Sequence, residues 1–484
     1  MYDGSQSQRP DRYLLIQNAM MVLPDRVVEG DLRARMKVAF HRKYGRVVSS
    51  SEILEIAPGG GLAPYQGSRL GRETVIDGDG LHLLPGAIDP QVHFREPGQP
   101  EKEDIGSGSR AAAAGGVTAF LDMPNNKPAA TSMEAMQEKW SSAGRTGITH
   151  HGFFIGATPN NLDELINAVG TPQLPDNAGV CGIKIFMGSS TGDLLVHQQK
   201  HLENIFANTA GIIATHAEDE DRLNARFPDF ADRTDIAAHA EWRDVECAMI
   251  ATQRAAALAK DHDHRLHVLH LTSGAEADWL AAHKGDLITT EVCPQHLTFD
   301  QDDVAERGVR LQMNPPIRYT EDKETLWKRL KDGTIDCIAT DHAPHTLEAK
   351  ALGFPKSPAG MPGVETALPV MLTHAMDGKC SVSDVVRWMC AGPAQVYGMV
   401  NKGSLVEGYD ADFTLVDLET RFTITDDDVW TRVGWTPYAG MELTGLPMCT
   451  IVDGIPVHER TPGGSLRGEF KVKPGQTGTA LRFS

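Results

Sequence analysis

The fold of this chain is decided by residues 83–98, which read Leu83-Leu84-Pro85-Gly86-Ala87-Ile88-Asp89-Pro90-Gln91-Val92-His93-Phe94-Arg95-Glu96-Pro97-Gly98. An apolar run stops here in a cluster of side chains that can bind metals or anions. This pattern is typical of a buried parallel strand that ends at an active site. Because strand side chains alternate between faces, Gln91, His93 and Arg95 are predicted to point into one cavity. The later strands must then supply the other groups.

From this stretch onward, strand-like and helical segments alternate. The eight strand-like segments are residues 84–93, 117–123, 149–155, 180–187, 211–216, 266–270, 287–292 and 334–340. The helical segments include residues 132–143, 162–169, 236–260, 275–283 and 323–330, and a last helix is predicted over 367–376. A βα unit repeated eight times predicts an α/β protein with a TIM-type (β/α)8 barrel.

Both ends of the chain read as short strands separated by turns. They are residues 13–17, 20–23, 37–40, 53–56 and 74–77 near the N-terminus, and 413–417 and 450–452 near the C-terminus. We expect them to form one small β-sandwich domain, so the predicted division is 1–85, barrel 86–397, and 398–484. The basic segment 32–51 is expected to be a solvated loop or subunit contact rather than a ligand site.

Composition restricts the partners. The 484 residues include 65 acidic and 46 basic ones, a net charge of -19, which argues against a nucleic-acid or anionic-membrane partner. The seven cysteines are scattered, so neither a disulfide framework nor a thiolate zinc site is indicated. With a polar N-terminus and no apolar run of about 18 residues, we expect a cytoplasmic protein.

Six of the strand-like segments carry a polar residue at or near their C-terminal ends. These residues are His93, Asn125, Lys184, His216, His270 and Asp341. In a TIM-type barrel such ends meet at one face. Most of the 19 histidines must be ordinary core or surface residues, but three that end separate barrel strands can converge on a zinc ion, with Asp341 to complete the site.

Lys184 is unusual because it lies in an apolar strand. Burying an unmodified ammonium there costs roughly several kcal/mol. Its head could reach solvent or pair with Asp341. Alternatively, carbon dioxide could convert the lysine into a carbamate, an anion whose two oxygens can bridge two metal ions.

Seven short motifs, taken together and in order, resemble the dihydroorotase family of cyclic amidohydrolases. They are the Asp89 to Gly98 stretch, Met123-Pro124-Asn125, the Lys184 segment, Thr215-His216-Ala217-Glu218, His267-Val268-Leu269-His270, Asn314-Pro315-Pro316 and Asp341-His342-Ala343-Pro344-His345. The C-terminal stretch from Asn401 to Asp412 also resembles the family's closing β-segment, so the resemblance covers nearly the whole chain.

The resemblance implies specific roles for these residues. His93, carbamylated Lys184, His216, His270 and Asp341 would form a site for one or two zinc ions. A water activated there would attack the ring carbonyl, and Asp341 would carry its proton to the leaving ring nitrogen. The substrate carboxylate would be held by Arg95, Asn125 and His345, and the ring amide edge by Asn314. A homo-oligomer and an aspartate transcarbamoylase partner are further expectations.

One departure from the family pattern leaves alternatives open. The family usually has His-x-His at the end of the first strand, whereas Gln91 takes the first position here, so one metal position is expected to be weak or empty. Relatives that act on allantoin or hydantoins share the metal motif. A non-catalytic scaffold subunit of aspartate transcarbamoylase is the alternative from a different class.

Overall fold

The computed structural model describes residues 10–41, 45–67, 72–176, 179–189 and 194–484. The strands in this part of the chain are β1 (Arg12–Val22), β2 (Val27–His41), β3 (Gly45–Pro58), β4 (Glu73–Asp77), β5 (His82–Pro85), β6 (Ala87–Val92), β7 (Val117–Asp122), β8 (His150–Gly156), β9 (Gly170–Thr171), β10 (Leu174–Pro175), β11 (Gly182–Phe186), β12 (Ile212–His216), β13 (Arg265–Val268), β14 (Ile288–Val292), β15 (Cys337–Ile338), β16 (Phe413–Thr423), β17 (Glu442–Val452), β18 (Ile455–Glu459) and β19 (Glu469–Phe470).

The α-helices lie mainly between the barrel strands. They are α1 (Ile105–Ala114), α2 (Met133–Thr146), α3 (Leu162–Val169), α4 (Gln199–Asn208), α5 (Glu220–Phe230), α6 (Ala237–Trp242), α7 (Val245–Asp261), α8 (Gly274–His283), α9 (Pro294–Thr298), α10 (Gln301–Arg307), α11 (Thr320–Lys331), α12 (Leu347–Lys350), α13 (Ala367–Met376), α14 (Val382–Val386) and α15 (Gly392–Val396). Within the described residues, no helix combines the length and apolar character needed to cross a bilayer.

The predicted barrel is confirmed. Across the described residues, eight parallel strands pair in the order β15-β14-β13-β12-β11-β8-β7-β6. A bridge between Val92 and His342 brings the last strand's end back to β6, so the barrel is nearly closed. Apolar side chains of both strands and helices fill its core, as the continuous apolar runs predicted.

Both chain ends also form one sheet, as expected. Its strands run β19-β18-β17-β16-β5-β1-β2-β3, and β4 pairs with β1. Most pairings are antiparallel, and apolar residues from both ends share one core cluster. The proposed domain divisions near residues 86 and 397 remain a prediction.

The chain passes from the terminal sheet to the barrel at Gly86. This residue lies between β5 and β6, and its N–H donates to the carbonyl of Asp412, 2.9 Å away. A Cβ on Gly86 would lie 2.1 Å from the Thr118 hydroxyl oxygen, so only glycine fits. The apolar run predicted as one strand is therefore split, and the first barrel strand begins at Ala87.

The solvated loop expected for the basic segment 32–51 is wrong in the described part, while the alternative of a subunit contact stays a prediction. β2 and β3 form a long hairpin there instead of a solvated loop. Arg33 is buried and its Nε lies 2.8 Å from a Glu73 carboxylate oxygen, and Arg35 pairs with Glu52. Of the basic residues on which the expectation rested, Arg42 and Lys43 lie outside the described residues.

Two further differences are local. The strands predicted at residues 13–17 and 20–23 are parts of the single strand β1, which ends at Val22 and has a register irregularity between Ile16 and Ala19. The predicted helix 236–260 is interrupted between α6 and α7, because the Asp244 side chain accepts the N–H of Cys247 and starts a new helix.

A buried ion pair attaches α2 to the end of β7. The Lys139 ammonium lies 2.6 Å from an Asp122 carboxylate oxygen and also donates to the Met123 carbonyl and to Asn126. Both charged side chains are fully buried.

We therefore expect Lys139→Met to leave Asp122 as an unpaired buried charge and to lower the free energy of unfolding by about 3–5 kcal/mol. Denaturant or thermal unfolding measures this. Asp122→Asn in the same chain should recover part of the loss, and Arg421→Met, which removes an exposed pair with Glu442, should cost no more than about 1 kcal/mol. A loss from Lys139→Met as small as that of the surface control would contradict the prediction.

Candidate active site

A cavity lies at the C-terminal ends of the barrel strands. It is lined by Gln91, His93, Arg95, Asn125, Lys184, Phe186, His216, His270, Asn314, Asp341, Ala343, Ala359 and Gly360. All of the predicted site residues except His345 are in this lining, and His345 contacts Arg95. The structure brings these residues together, and the roles predicted for them remain predictions.

Three of the residues have left-handed backbone conformations. Arg95, His270 and Asp341 have φ values of 60°, 37° and 49°. Non-glycine residues rarely adopt this region, and holding one there costs of order 1–3 kcal/mol. Such conformations are concentrated at functional sites. Here they occur directly after barrel strands, where the chain turns away from the barrel.

Asp341 is the hydrogen-bonding centre of the cavity. Its Oδ1 lies 2.9 Å from Nε2 of His93 and accepts from the side-chain nitrogen of Gln91 at 3.0 Å. Burial alone would raise the pKa of Asp341. The His93 hydrogen bond and the nearby His270 and Lys184 outweigh burial and lower the pKa to about 2. The carboxylate is therefore an anion that can accept protons or bind a cation.

His216 and His270 face each other. Nδ1 of His216 lies 3.0 Å from Nε2 of His270, and Nδ1 of His270 has no hydrogen-bond partner among the described residues. Burial lowers the pKa of both imidazoles. Neutral imidazoles with converging nitrogen atoms are suitable metal ligands.

The Lys184 side chain is almost wholly buried in β11. Within the described residues its ammonium has no hydrogen bond or salt bridge, and it lies 4.6 Å from the centre of the Phe186 ring. Burial lowers the pKa of Lys184 to about 7, partly opposed by the charges of Asp341 and Glu291. The amine is thus partly neutral near physiological pH, the form that reacts with carbon dioxide.

Arg95 is the second buried cation of the cavity. Its guanidinium is 2% exposed, Nη2 lies 3.3 Å from Nε2 of His345, and Nε has no partner in the described structure. Burial lowers the pKa of Arg95 to about 10, so the group stays charged. Across the described residues, no carboxylate lies within salt-bridge distance of it. A carboxylate on a bound molecule would satisfy this guanidinium.

Two amide side chains complete the polar lining. The oxygen of Asn125 lies 2.6 Å from Nδ1 of His93, and the oxygen of Asn314 lies 2.9 Å from Nε2 of His239. Both ring nitrogens of His93 therefore face oxygen atoms, on Asn125 and on Asp341. A cation between Nε2 and the Asp341 oxygen could bind both of these atoms, which otherwise face each other as acceptors.

Some lining residues had no assigned role in the sequence prediction. Phe186 stands in the quoted Lys184 segment, but its contact with the lysine could not be inferred from its position in the sequence. Ala359 and Gly360 follow no barrel strand and carry no functional side chain, so no sequence signal marks them. Glu218 was within a quoted motif, and its contact with His216 required the fold.

Two buried clusters outside the cavity bring three possible metal-ligand atoms within 4.8 Å of one another, which the cavity residues do not do in the described structure. In one cluster, Cys337 lies beside His267 and Glu291, but burial raises the pKa of the thiol so that it remains protonated. In the other cluster, formed by His150, Asp412 and Asp453, the ammonium of Lys402 contacts Asp412 and already supplies the positive charge. The cavity has converging imidazoles without such an internal cation pairing.

The fold is a barrel, and its cavity is lined by imidazole, amine and carboxylate groups. The chain belongs to the amidohydrolase family, which residues 82–457 match. A dihydroorotase of Halobacterium salinarum is 35% identical over 417 residues, covering 85% of this chain and 94% of that protein. An allantoinase of Streptomyces avermitilis is 36% identical over 380 residues, 77% of this chain and 83% of that protein.

Solved structures agree with this assignment. The L-hydantoinase (dihydropyrimidinase) from Arthrobacter aurescens superposes with a TM-score of 0.83 at 28% identity, over 97% of this chain and 99% of that one. These relatives have in common that they act on cyclic amides. The protein is therefore a cyclic amidohydrolase, of a family that is typically metal-dependent.

Gly360 leaves no room for a side chain at the cavity wall. It has a φ of +131°, and a Cβ there would lie 2.5 Å from the Ala343 carbonyl oxygen and 3.1 Å from the His345 ring. We expect Gly360→Ala to displace this wall and lower kcat/KM by about 100-fold on whichever of dihydroorotate, allantoin or hydantoin the enzyme turns over fastest.

Gly353 provides the matched control in the same segment. It also has a positive φ of +69°, but nothing lies within 4 Å of an added Cβ. Gly353→Ala should therefore leave kcat/KM within a few-fold of the original chain. Equal effects of the two substitutions would show that the cavity wall does not depend on the missing side chain at Gly360.

Proposed function

We propose that this amidohydrolase is a zinc-dependent dihydroorotase, which hydrolyses dihydroorotate reversibly to N-carbamoyl-L-aspartate in pyrimidine synthesis. The observation that carries the proposal is the buried guanidinium of Arg95, which has no carboxylate partner within salt-bridge distance among the described residues. Dihydroorotate carries a carboxylate on its ring, whereas hydantoin and allantoin do not. A buried guanidinium facing a cavity is suited to the charged substrate.

The proposed metal ligands are His93, Lys184 as a carbamate, His216, His270 and Asp341. When bound there, zinc would lower the pKa of a water molecule toward about 7 and supply the nucleophile. The carbamate accounts for Lys184, because it replaces a buried ammonium that lacks a hydrogen-bond partner by an anion. Whether one or two zinc ions bind depends on Gln91.

The side chains would then divide the reaction between them. Asp341, an anion in the free enzyme, takes the proton of the attacking water and delivers it to the ring nitrogen that leaves. Arg95, with Asn125 and His345, holds the substrate carboxylate, and Asn314 holds the ring amide edge. Cyclisation of N-carbamoyl-L-aspartate uses the same groups in reverse.

The alternatives follow from the relatives. An allantoinase is as similar to this chain as a dihydroorotase is, and a hydantoinase shares its fold, so an allantoinase or hydantoinase activity is the second candidate. A non-catalytic scaffold subunit of aspartate transcarbamoylase needs none of the cavity's chemistry. The intact set of three histidines, Lys184 and Asp341 favours an enzyme.

The remaining proposals concern the setting of the protein. We propose a cytoplasmic homo-oligomer, with aspartate transcarbamoylase as a candidate partner and with no nucleic-acid or membrane partner. The net charge of -19 supports the last point, because anionic polymers and lipid headgroups would be repelled.

The first prediction of this proposal concerns zinc. The purified chain should contain at least one zinc ion, and His270→Ala should remove it, because one of two facing imidazoles is lost. Elemental analysis after gel filtration measures this, with His283→Ala as a control because His283 is exposed. Zinc-free protein whose activity does not rise when zinc is added would sink the metal assignment.

The second prediction concerns the substrate. Arg95→Met should weaken dihydroorotate turnover by roughly 2–5 kcal/mol in kcat/KM, because a buried charge pair with the substrate is lost. Hydantoin turnover by the same variant is the internal control and should change little. Unchanged dihydroorotate kinetics, or faster turnover of hydantoin or allantoin by the original chain, would favour the alternative enzymes.

The third prediction concerns Gln91 and Asp341. Gln91→His should raise the zinc content of the chain, since imidazole is a better ligand than a carboxamide.

Asp341→Asn should abolish turnover while the unfolding midpoint stays close to that of the original chain. If the zinc-loaded original chain has no dihydroorotase activity but activates a transcarbamoylase partner, the scaffold alternative is correct.

A further inference from the structure

Glu218 is a fully buried carboxylate two residues beyond His216. Its Oε2 lies 2.8 Å from Nε2 of His216. Arg243 can only donate to this same Glu218 oxygen, so the oxygen acts as the acceptor and Nε2 of His216 is assigned as the second donor. The lone pair is then on Nδ1, which is the nitrogen that lies 3.0 Å from His270. Glu218 therefore determines which nitrogen of His216 faces the cavity.

Two arginines hold Glu218 in place. Arg243 donates from Nη1 to the same Glu218 oxygen and from Nη2 to the Ser189 carbonyl, 2.6 Å away. Arg318 in turn donates to the Arg243 carbonyl at 2.9 Å and to the Thr272 hydroxyl at 2.7 Å. Both arginines are about 4% exposed, so water does not replace these contacts.

The main chain of Glu218 is equally constrained. A Cβ added to Gly188 would lie 2.4 Å from the Glu218 carbonyl oxygen, so the segment that follows β11 packs directly against Glu218. The side chain and the backbone of Glu218 are thus fixed from both sides. The orientation of the His216 ring depends on this arrangement.

We propose that Glu218, held in place by Arg243, is a positioning residue of the metal centre. It holds His216 in the tautomer and ring orientation in which Nδ1 binds the metal. The inference rests on the metal centre of the proposed function. Carboxylates that orient a ligating histidine typically contribute 10- to 100-fold to metal affinity.

The experiment measures Zn²⁺ affinity of metal-stripped protein by competition with a chromophoric chelator. Glu218→Gln should bind Zn²⁺ about 10- to 100-fold more weakly than the original chain. Glu220→Gln is the matched control, because Glu220 is buried in the next turn and bonds Ser189 at 2.6 and 2.8 Å without contacting His216. Its Zn²⁺ affinity should stay within a few-fold.

Glu218→Gln leaves Arg243 without an anionic partner and can unfold the chain for that reason. The double variant Glu218→Gln/Arg243→Met removes both charges and should show the same loss of affinity. A crystal structure of the zinc-loaded original chain gives a test that needs no variant. Zinc on Nδ1 of His216, with Nε2 still bonded to Glu218, supports the inference, and zinc on Nε2 overturns it.

The outcomes separate this inference from the proposed function. If the original chain binds no Zn²⁺, the proposed metal centre fails, and the role of Glu218 fails with it. If the original chain and Glu218→Gln bind Zn²⁺ equally, only the role of Glu218 is overturned. A loss of affinity as large in Glu220→Gln as in Glu218→Gln would also overturn it, because the effect would then be general to this segment.

Discussion

The cavity depends on the balance between two buried cations and one carboxylate. Among the described residues that line it, Lys184 and Arg95 are the cations and Asp341 is the carboxylate. Burial lowers the pKa of both cations and the charge of Asp341 only partly opposes this, because the hydrogen bonds of Asp341 are to His93 and Gln91. Burying positive charge in this way is unfavourable unless anions arrive. A carbamate would replace the positive charge of Lys184 by a negative one, and a substrate carboxylate would pair with Arg95. Each would reduce the excess of buried positive charge in the cavity, so the two proposals support each other.

The barrel brings these groups together, and its strand ends also impose strain on them. His270 has a left-handed backbone, and its N–H lies 3.4 Å from a Glu291 oxygen, while the other Glu291 oxygen lies 3.1 Å from His267. A buried side-chain network below the cavity therefore supports the backbone conformation that turns the His270 ring toward His216. Asp341 is supported similarly, since the preceding Thr340 donates its N–H to Asp89 on β6.

The sequence alone predicted those parts of the fold and of the cavity that depend on local residue patterns. Continuous apolar runs identified all eight barrel strands, and the polar residues at or near their ends are six of the thirteen residues that line the cavity. Contacts between distant segments could not be predicted this way. Arg33 was assigned to a solvated loop or subunit contact because its partner Glu73 lies 40 residues away in the sequence. The split at Gly86 depends on Thr118 and Asp412, which are also distant in the sequence. The main-chain wall at Gly360 has no side chain to mark it.

In the proposed zinc site, Gln91 would determine how tightly the metal position beside it binds. Its nitrogen donates to the same Asp341 oxygen that His93 contacts, and its own oxygen has no partner among the described residues. An amide N–H cannot bind a metal, so a metal at this position requires the amide to turn and bring its oxygen toward an anionic carboxylate. That rotation is favourable only when a cation already lies between the two oxygens. His216 and His270 need no such rearrangement, because their nitrogens already converge. We therefore expect the first metal ion to bind at His216 and His270. The position beside Gln91 should bind a metal ion only after that.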